Sequence, residues 1–319
     1  MSVLIFIVRY FMYFFIPLLV TALGGMFSER SGVMNMALDS IMVFSAMWGV
    51  FFMNAMKGTI PGQWLLIASL LVSALTGVLF AMLLAYSAIS LKANQTIAAM
   101  ALNTFAPAFC VFYARLMNSG NEIIPFPGSS FRIVEVPLLS KIPVIGPMFF
   151  QQAYLTTYIG IALFIIGSII IDKTRYGLRM CACGENPQAA ASLGVNVYRT
   201  RYIAVAISGA LAGMGGLMYI VPISASYSCT VAGYGYLALA VLIFGRWRSK
   251  PLLLAAVFFS LCKTLASAYT SIPFLAALPF PDAFYKSFPF MLTLIALAFT
   301  SKNSSAPKAN GQPYDQGKR

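Results

Sequence analysis

Leu65–Ser90 reads LLIASLLVSALTGVLFAMLLAYSAIS, without a single charge. At about 1.5 Å per residue, such a helix is long enough to cross a hydrocarbon core about 30 Å thick. Lipid offers no partner to a backbone N–H or C=O, so the run must close its own hydrogen bonds as a helix. Working outward, comparable runs occur near 3–23, 33–56, 96–117, 154–171, 202–222, 251–272 and 284–300. A shorter run, 235–245, is too brief to cross as an ideal helix. It crosses with help from 231–234 or folds back. No period-two alternation recurs over many segments, which argues against a β-barrel. The expected fold class is an all-α polytopic membrane protein with about nine (8–10) transmembrane or re-entrant helices.

Composition agrees. Of 319 residues, 60% are hydrophobic and 9% are charged, against roughly 25% charged in a soluble domain. Water could not solvate so uncharged a surface, so a lipid bilayer must cover much of it. The net charge of +13 would suggest nucleic acid in a soluble protein. Here the Lys and Arg residues fall between or after apolar runs and set orientation instead, so no nucleic-acid partner is expected. Five cysteines, with Cys181 and Cys183 two apart, form neither a disulfide framework nor a C-x-x-C metal site. The absence of histidine also removes the commonest general base. No metal site and no catalytic residue are expected, so the chain is read as a non-enzyme. No signal-peptide cleavage site is recognisable, and the first run is expected to stay in the membrane.

Charge asymmetry assigns the sides. Residues 172–201 contain Lys173, Arg175, Arg179, Arg199 and Arg201; residues 246–250 contain Arg246, Arg248 and Lys250; the end carries Lys302, Lys308, Lys318 and Arg319. All three belong in the cytoplasm by the positive-inside rule, including the C-terminus. Counting backward puts 118–153 outside, and taken literally the N-terminus too. Residues 1–300 are read as one transmembrane domain. Within it, 118–153 is an ordered external loop, rich in proline and too long for a simple turn, and 172–201 is a polar cytoplasmic loop. Residues 301–319 have no apolar pattern and are expected to be a disordered cytoplasmic tail.

Three segments carry functional information. In GGMFSERSGVMNMALDS (24–40), the polar stretch Gly24–Gly32 interrupts the apolar sequence. Asn35 and Asp39 follow four apart, on one helix face. Asp39 is the one acid inside a long apolar run, where a charge costs ~2.5–3.5 kcal/mol at the bilayer centre. It either faces a water-filled solute path or clamps two helices, with Lys263 as partner. A broken helix with free backbone groups is a common way to build a solute site within a membrane. In LKANQTIAAMALN (91–103), Asn94 or Thr96 is placed to cap the helix of the 96–117 run. Asn103 lies deeper, where packing and solute contact are both open.

The third segment is YGLRMCACGENPQAAASLGVNVYRTR (176–201). Asn186 can cap a short helix, Pro187 suits its first turn and Gly194 can end it in a left-handed turn. Two turns are not stable alone, so the helix needs a surface, either a partner's or this chain's own cytoplasmic face. Downstream, SGALAGMGG (208–216) spaces Gly209 and Gly213, and Ala212 and Gly216, four apart, a pattern for close helix packing in lipid. No G-x-x-x-x-G-K-[ST] occurs, so any ATP that drives this protein binds another polypeptide.

These stretches, with PLLSKIPVIGP (137–147) and GYGYLALAVLIFGRW (233–247), resemble the inner-membrane permeases of ABC importers for nucleosides, related to those for ribose-type sugars and branched-chain amino acids. The resemblance covers most of residues 15–300. It implies that Glu185, Asn186, Pro187, Ala189, Ala190 and Gly194 form the coupling helix that docks in a groove of an ATPase subunit. ATP and Mg would then sit on that partner, and this chain would bind no cofactor. A second related permease and an extracytoplasmic solute-binding protein complete the expected assembly in the cytoplasmic membrane. Asn35, Asp39, Asn94 and Asn103 are the candidate residues of the solute path. Family members usually carry Glu-Gly where this chain has Asp39 and Ser40, and commonly Gly in place of Ala37. A nucleoside is the expected solute, with riboflavin or a ribose-type sugar as alternatives. An ion-coupled secondary transporter is the alternative class, and it would need more intramembrane ion ligands than one aspartate.

Overall fold

The computed structural model describes residues 2–135, 146–268, 287, 291 and 306–315. Seven helices among them are long and apolar enough to span a membrane. They are α1 (Ser2–Arg30), α2 (Leu38–Ala55), α3 (Gly62–Ala85, extended by a π turn to Ser90), α4 (Gln95–Met117), α5 (Leu155–Lys173), α8 (Val197–Ile223) and α10 (Ser249–Ala268). Three shorter helices complete the set: α6 (Arg175–Glu185), α7 (Pro187–Ser192) and the apolar α9 (Tyr234–Phe244). Eight of the apolar runs thus become helices. The 284–300 run and most of PLLSKIPVIGP lie outside the described residues.

Helix α8 is the axis and is buried over most of its length. The small residues at 208–216 explain how. A Cβ on Gly77 of α3 would strike the Gly209 carbonyl oxygen and come within 3.0 Å of the Gly213 Cα. A Cβ on Gly216 would lie 2.9 Å from the Met42 Cα on α2. Lipid gives no hydrophobic drive for helix association, so close backbone approach and dispersion hold these helices together. Helices α4 and α5 lie at the periphery, and most of their surface faces outward.

The helices have two distinguishable ends. At one, β1 (Ile124–Pro125) pairs antiparallel with β4 (Ser226–Tyr227), and β2 (Arg132–Glu135) pairs with β3 (Gln151–Tyr154). The start of α1 lies at this cap end, where Arg9 and Tyr13 bond Gln152. At the other, the loop end, stand α6, α7 and the turn Arg246–Arg248.

Three expectations need correction. Asn35 and Asp39 do not share a helix face, because Asn35 lies in irregular backbone ahead of α2, which begins at Leu38. Residues 24–32 do not break the helix, because α1 runs on to Arg30. Gly24 is there for contact, since a Cβ would sit 2.9 Å from the Ser208 carbonyl oxygen. The irregular stretch is 31–37, and it opens with Gly32 at φ 93°. The tail is not disordered throughout: residues 306–315 form a turn against the loop end, with Ala309 and Tyr314 buried. Their backbone groups find fixed partners there, which an apolar-pattern reading cannot register.

Candidate functional site

Residues 31–37 are non-helical backbone inside a helical bundle, so each free backbone group needs a donor or acceptor from a neighbour. Helix α4 supplies two side chains. The Met34 N–H donates to Gln95 Oε1 at 2.7 Å. Asn103 is bidentate: its Nδ2 donates to the Met36 carbonyl at 2.9 Å and its Oδ1 accepts from the Ser40 N–H at 3.3 Å. Helix α8 supplies Ser208, whose Oγ accepts from Asn35 Nδ2 at 2.9 Å. Asn35 Oδ1 accepts in turn from the Ala37 N–H at 3.2 Å, and Asn35 is fully buried. Asn103→Ala removes both α4 bonds at the start of α2 and is expected to cost about 1–3 kcal/mol locally. Amide exchange in 34–40 should accelerate in that variant; unaltered exchange would show that α4 does not hold this stretch.

Asp39 completes the ring. Its Oδ1 accepts the Gly235 N–H at 2.8 Å. Gly235 lies in the first turn of α9, whose 11 residues reach about 16 Å, roughly half a bilayer core. That helix starts within the bundle, with the Tyr234 hydroxyl donating to the Phe14 carbonyl at 2.7 Å. A carboxylate at a helix N-terminus meets the positive end of the helix dipole and its free N–H groups. The clamp anticipated for Asp39 therefore exists, but its partner is the start of α9 and not Lys263. Of the four expected path residues, Asn35, Asp39 and Asn103 converge on 31–40. Asn94 stands apart as the cap of α4, its Oδ1 accepting from the Thr96 and Ile97 N–H groups.

The loop end holds a second constellation. Asn186 caps α7 through the Ala189 N–H at 3.0 Å, Pro187 is its first residue, and Gly194 follows with φ 80°. Pro187 and Ala190 turn inward, while Glu185, Asn186, Gln188 and Ala189 face out. Leu193, next to the glycine, is 85% exposed. Its signal in the sequence is a large apolar residue between the alanine-rich α7 and the glycine that ends it. Gly184 abuts the Arg30 carbonyl at the end of α1, so α7 is tied closely to the start of the 31–37 stretch. Burial pushes the Cys183 thiol up and the Tyr176 phenol up to about 12. Both stay protonated near neutrality, so neither is a ready nucleophile or base.

Asp39 is half-buried, and a second acid is buried more deeply. Glu29 is 5% exposed and accepts from Trp247 Nε1 at 2.6 Å and Asn310 Nδ2 at 3.2 Å. Nearby Arg201, 1% exposed, donates from Nε to the Ser31 carbonyl at 3.1 Å and from Nη1 to the Gln312 carbonyl at 3.2 Å. Sequence placed Glu29 within the polar stretch Gly24–Gly32, which could lie at membrane depth, and named no partner for it.

Above Ser40 and Asn103, toward the cap end, α2 and α4 share an aromatic face. Phe44 stacks on Phe80 of α3 at 4.6 Å between centroids and lies 5.7 Å from Phe109. Trp48 and Phe51 lie 5.3 and 5.4 Å from Tyr113. Phe44, Trp48, Phe51, Phe109 and Tyr113 are only half-buried, so their ring faces and edges remain partly open.

Comparison with known proteins adds the family. Residues 7–297 match the family described as the branched-chain amino acid transport system / permease component. The chain is 39% identical to the guanosine ABC transporter permease protein NupQ of Bacillus subtilis (strain 168), over 95% of this chain and 94% of NupQ. It is 38% identical to the nucleoside ABC transporter permease protein NupC of Lactococcus lactis subsp. cremoris (strain MG1363), with the same two coverages. The nucleoside ABC transporter permease protein NupB of that strain is 34% identical over 35% of this chain and 32% of NupB. A polytopic helical bundle and a match over nearly its whole length lead to one conclusion: this chain belongs to the branched-chain amino acid transport system / permease component family.

Proposed function

We propose that this chain is the membrane-spanning permease subunit of an ATP-driven ABC importer and that its solute is a nucleoside. The observation that carries the first part is α7: a capped, water-facing helix of two turns, with Leu193 beside it and Gly184 packed on the end of α1. Such a helix has too little internal hydrogen bonding to persist without a surface, and its outer side is free to meet one. In this reading Glu185, Asn186, Ala189 and Gly194 meet a separate ATPase that binds ATP and Mg, while Pro187 and Ala190, which turn inward, fix the docking helix to this chain's own face. The loop end then faces the cytoplasm. A solute-binding protein delivers to the cap end.

A second, related permease pairs with this one. Lactococcus lactis supports that pairing, because NupC and NupB are both named as nucleoside permease proteins. The path follows the α2–α4 face, with Asn35, Asp39 and Asn103 fixing its inner end and Asn94 anchoring α4. The half-open rings of Trp48, Phe109 and Tyr113 suit a planar base, since each aromatic pairing adds about 0.5–1.5 kcal/mol beyond area burial. The names of NupQ and NupC support the same solute class. An ion-coupled carrier finds less support, because the Asp39 carboxylate already accepts a bond from Gly235.

Vesicles containing the complete complex should take up tritiated guanosine only with ATP inside. Excess adenosine or uridine should compete, while riboflavin and ribose should not. Uptake without ATP would end the ABC reading, and competition by riboflavin alone would end the nucleoside assignment. Trp48→Ala should lower the apparent affinity by about tenfold at most, as the loss of one ring pairing allows.

A further inference from the structure

APKANGQPYD, residues 306–315, touches both the α6–α7 segment and the 31–37 stretch at the loop end. The Ala309 N–H donates to the Gly184 carbonyl at 2.8 Å, one residue before the docking segment begins. The Gly311 N–H donates to the Gly32 carbonyl at 3.3 Å, at the entry to the 31–37 stretch. Tyr314 packs with Cys183, Ala190 and Val197, so it lies under the inner face of α7. Its ring meets Tyr198 edge-on at 5.3 Å. Asp315 pairs with Lys92 between α3 and α4 at 3.1 Å.

The same segment also serves both buried charges. Asn310 bonds the Glu29 carboxylate, and the Gln312 carbonyl accepts from Arg201. Without it, Glu29 would lose one of its donors and keep Trp247 and the Asn35 backbone N–H, and Arg201 would lose one of its two carbonyl acceptors and keep Ser31. Leaving a buried charged group short of partners is costly. Two atoms of this cluster, Asn310 Oδ1 and Arg201 Nη2, are buried without a hydrogen-bond partner. Buried polar atoms are rarely left so. Unused bonding capacity therefore lies on both sides of this junction, at Asn310 in the segment and at Arg201 on α8.

We propose that residues 306–315 are a strap that carries the displacement of α7 to the 31–37 stretch, with Asn310 and Gln312 as positioning residues. This rests on the reading of α7 as the ATPase-docking helix. Gly184 already meets Arg30 and Gly32 directly, and the strap spans that seam, bonded to Gly184 on one side and to Gly32 and Glu29 on the other. A push on α7 reaches the solute path through short hydrogen bonds and does not have to cross the lipid-exposed periphery.

The test uses the full complex of both permeases and the ATPase in nanodiscs. Hydrogen–deuterium exchange is followed over 187–193 and 31–38, with and without ATP and vanadate. In the unaltered complex both segments should respond to nucleotide. In a chain ending at residue 305, and in Asn310→Asp, which sets a second carboxylate against Glu29, 187–193 should still respond. The response of 31–38 should fall about tenfold, the size of a typical coupling between sites. Asn310→Ala should fall between the unaltered chain and Asn310→Asp. A full response of 31–38 in Asn310→Asp and in the shortened chain would overturn the strap alone. No response of 187–193 in the unaltered complex would instead overturn the docking reading beneath it. Asn310→Asp keeps the chain at full length, so the proposal remains open to refutation if the shortened chain fails to assemble.

Discussion

Gly213→Leu is expected to remove most of the folded protein from the membrane. A Cβ there would strike the Ser73 carbonyl oxygen and lie 3.1 Å from the Gly77 Cα. Both are backbone atoms, so no rotamer change on α3 can make room. Overpacking a tight contact costs about 1–3 kcal/mol, and more when the backbone must move. Here the clash falls on the contact between α3 and the axial helix α8, so the two would have to separate along several turns. Total stabilities of about 5–15 kcal/mol leave little to absorb that. Size-exclusion chromatography in detergent should show the monodisperse peak lost or greatly reduced. Leu79→Ala, at a side chain 69% exposed on α3, should leave the peak unchanged. A normal yield and melting temperature for Gly213→Leu would show that α3 and α8 are not held at backbone contact.

Leu193→Asp is expected to produce the opposite pattern, a folded protein that does not transport. The side chain is 85% exposed beside α7, so the change removes no internal packing. Burying a leucine against a partner contributes about 1.5–3 kcal/mol. Its loss should weaken ATPase docking by about ten- to a hundredfold. The carboxylate adds to this, because it must be desolvated on docking without an assigned partner. The measurement is binding of labelled ATPase to the permease pair in nanodiscs, together with guanosine uptake. Unchanged binding with normal uptake would move the docking surface away from α7 and Leu193.

The helical bundle was legible because lipid imposes a length and a composition on each crossing segment. Eight apolar runs could be read from that constraint, and the caps Asn94 and Asn186 from their local chemistry. Three features were not legible, each for a definable reason. Gly24 looked like a helix breaker, but its lack of a side chain serves contact with Ser208 on a helix far away in sequence. Asp39 called for a cation by charge alone; a backbone N–H at the start of a short helix satisfied it instead, and such a donor leaves no mark in composition. Residues 306–315 lack an apolar pattern because they bind through backbone carbonyl and N–H groups, which every sequence possesses. Asn35, Asp39 and Asn103 could be nominated one by one, but their convergence depends on how α4, α8 and α9 pack.

The bond between Asp39 and Gly235 has a consequence for how the chain is made. Its two ends are separated by 196 residues. At about 5–20 residues per second of synthesis, Asp39 emerges roughly 10–40 s before the ribosome delivers the glycine that will hold it. For that interval the nascent protein carries an acidic group next to lipid with its eventual donor not yet translated. The insertion machinery must shelter the second helix in a wet environment until the ninth arrives, which makes late assembly, and not stepwise release of each segment, the route open to this polypeptide.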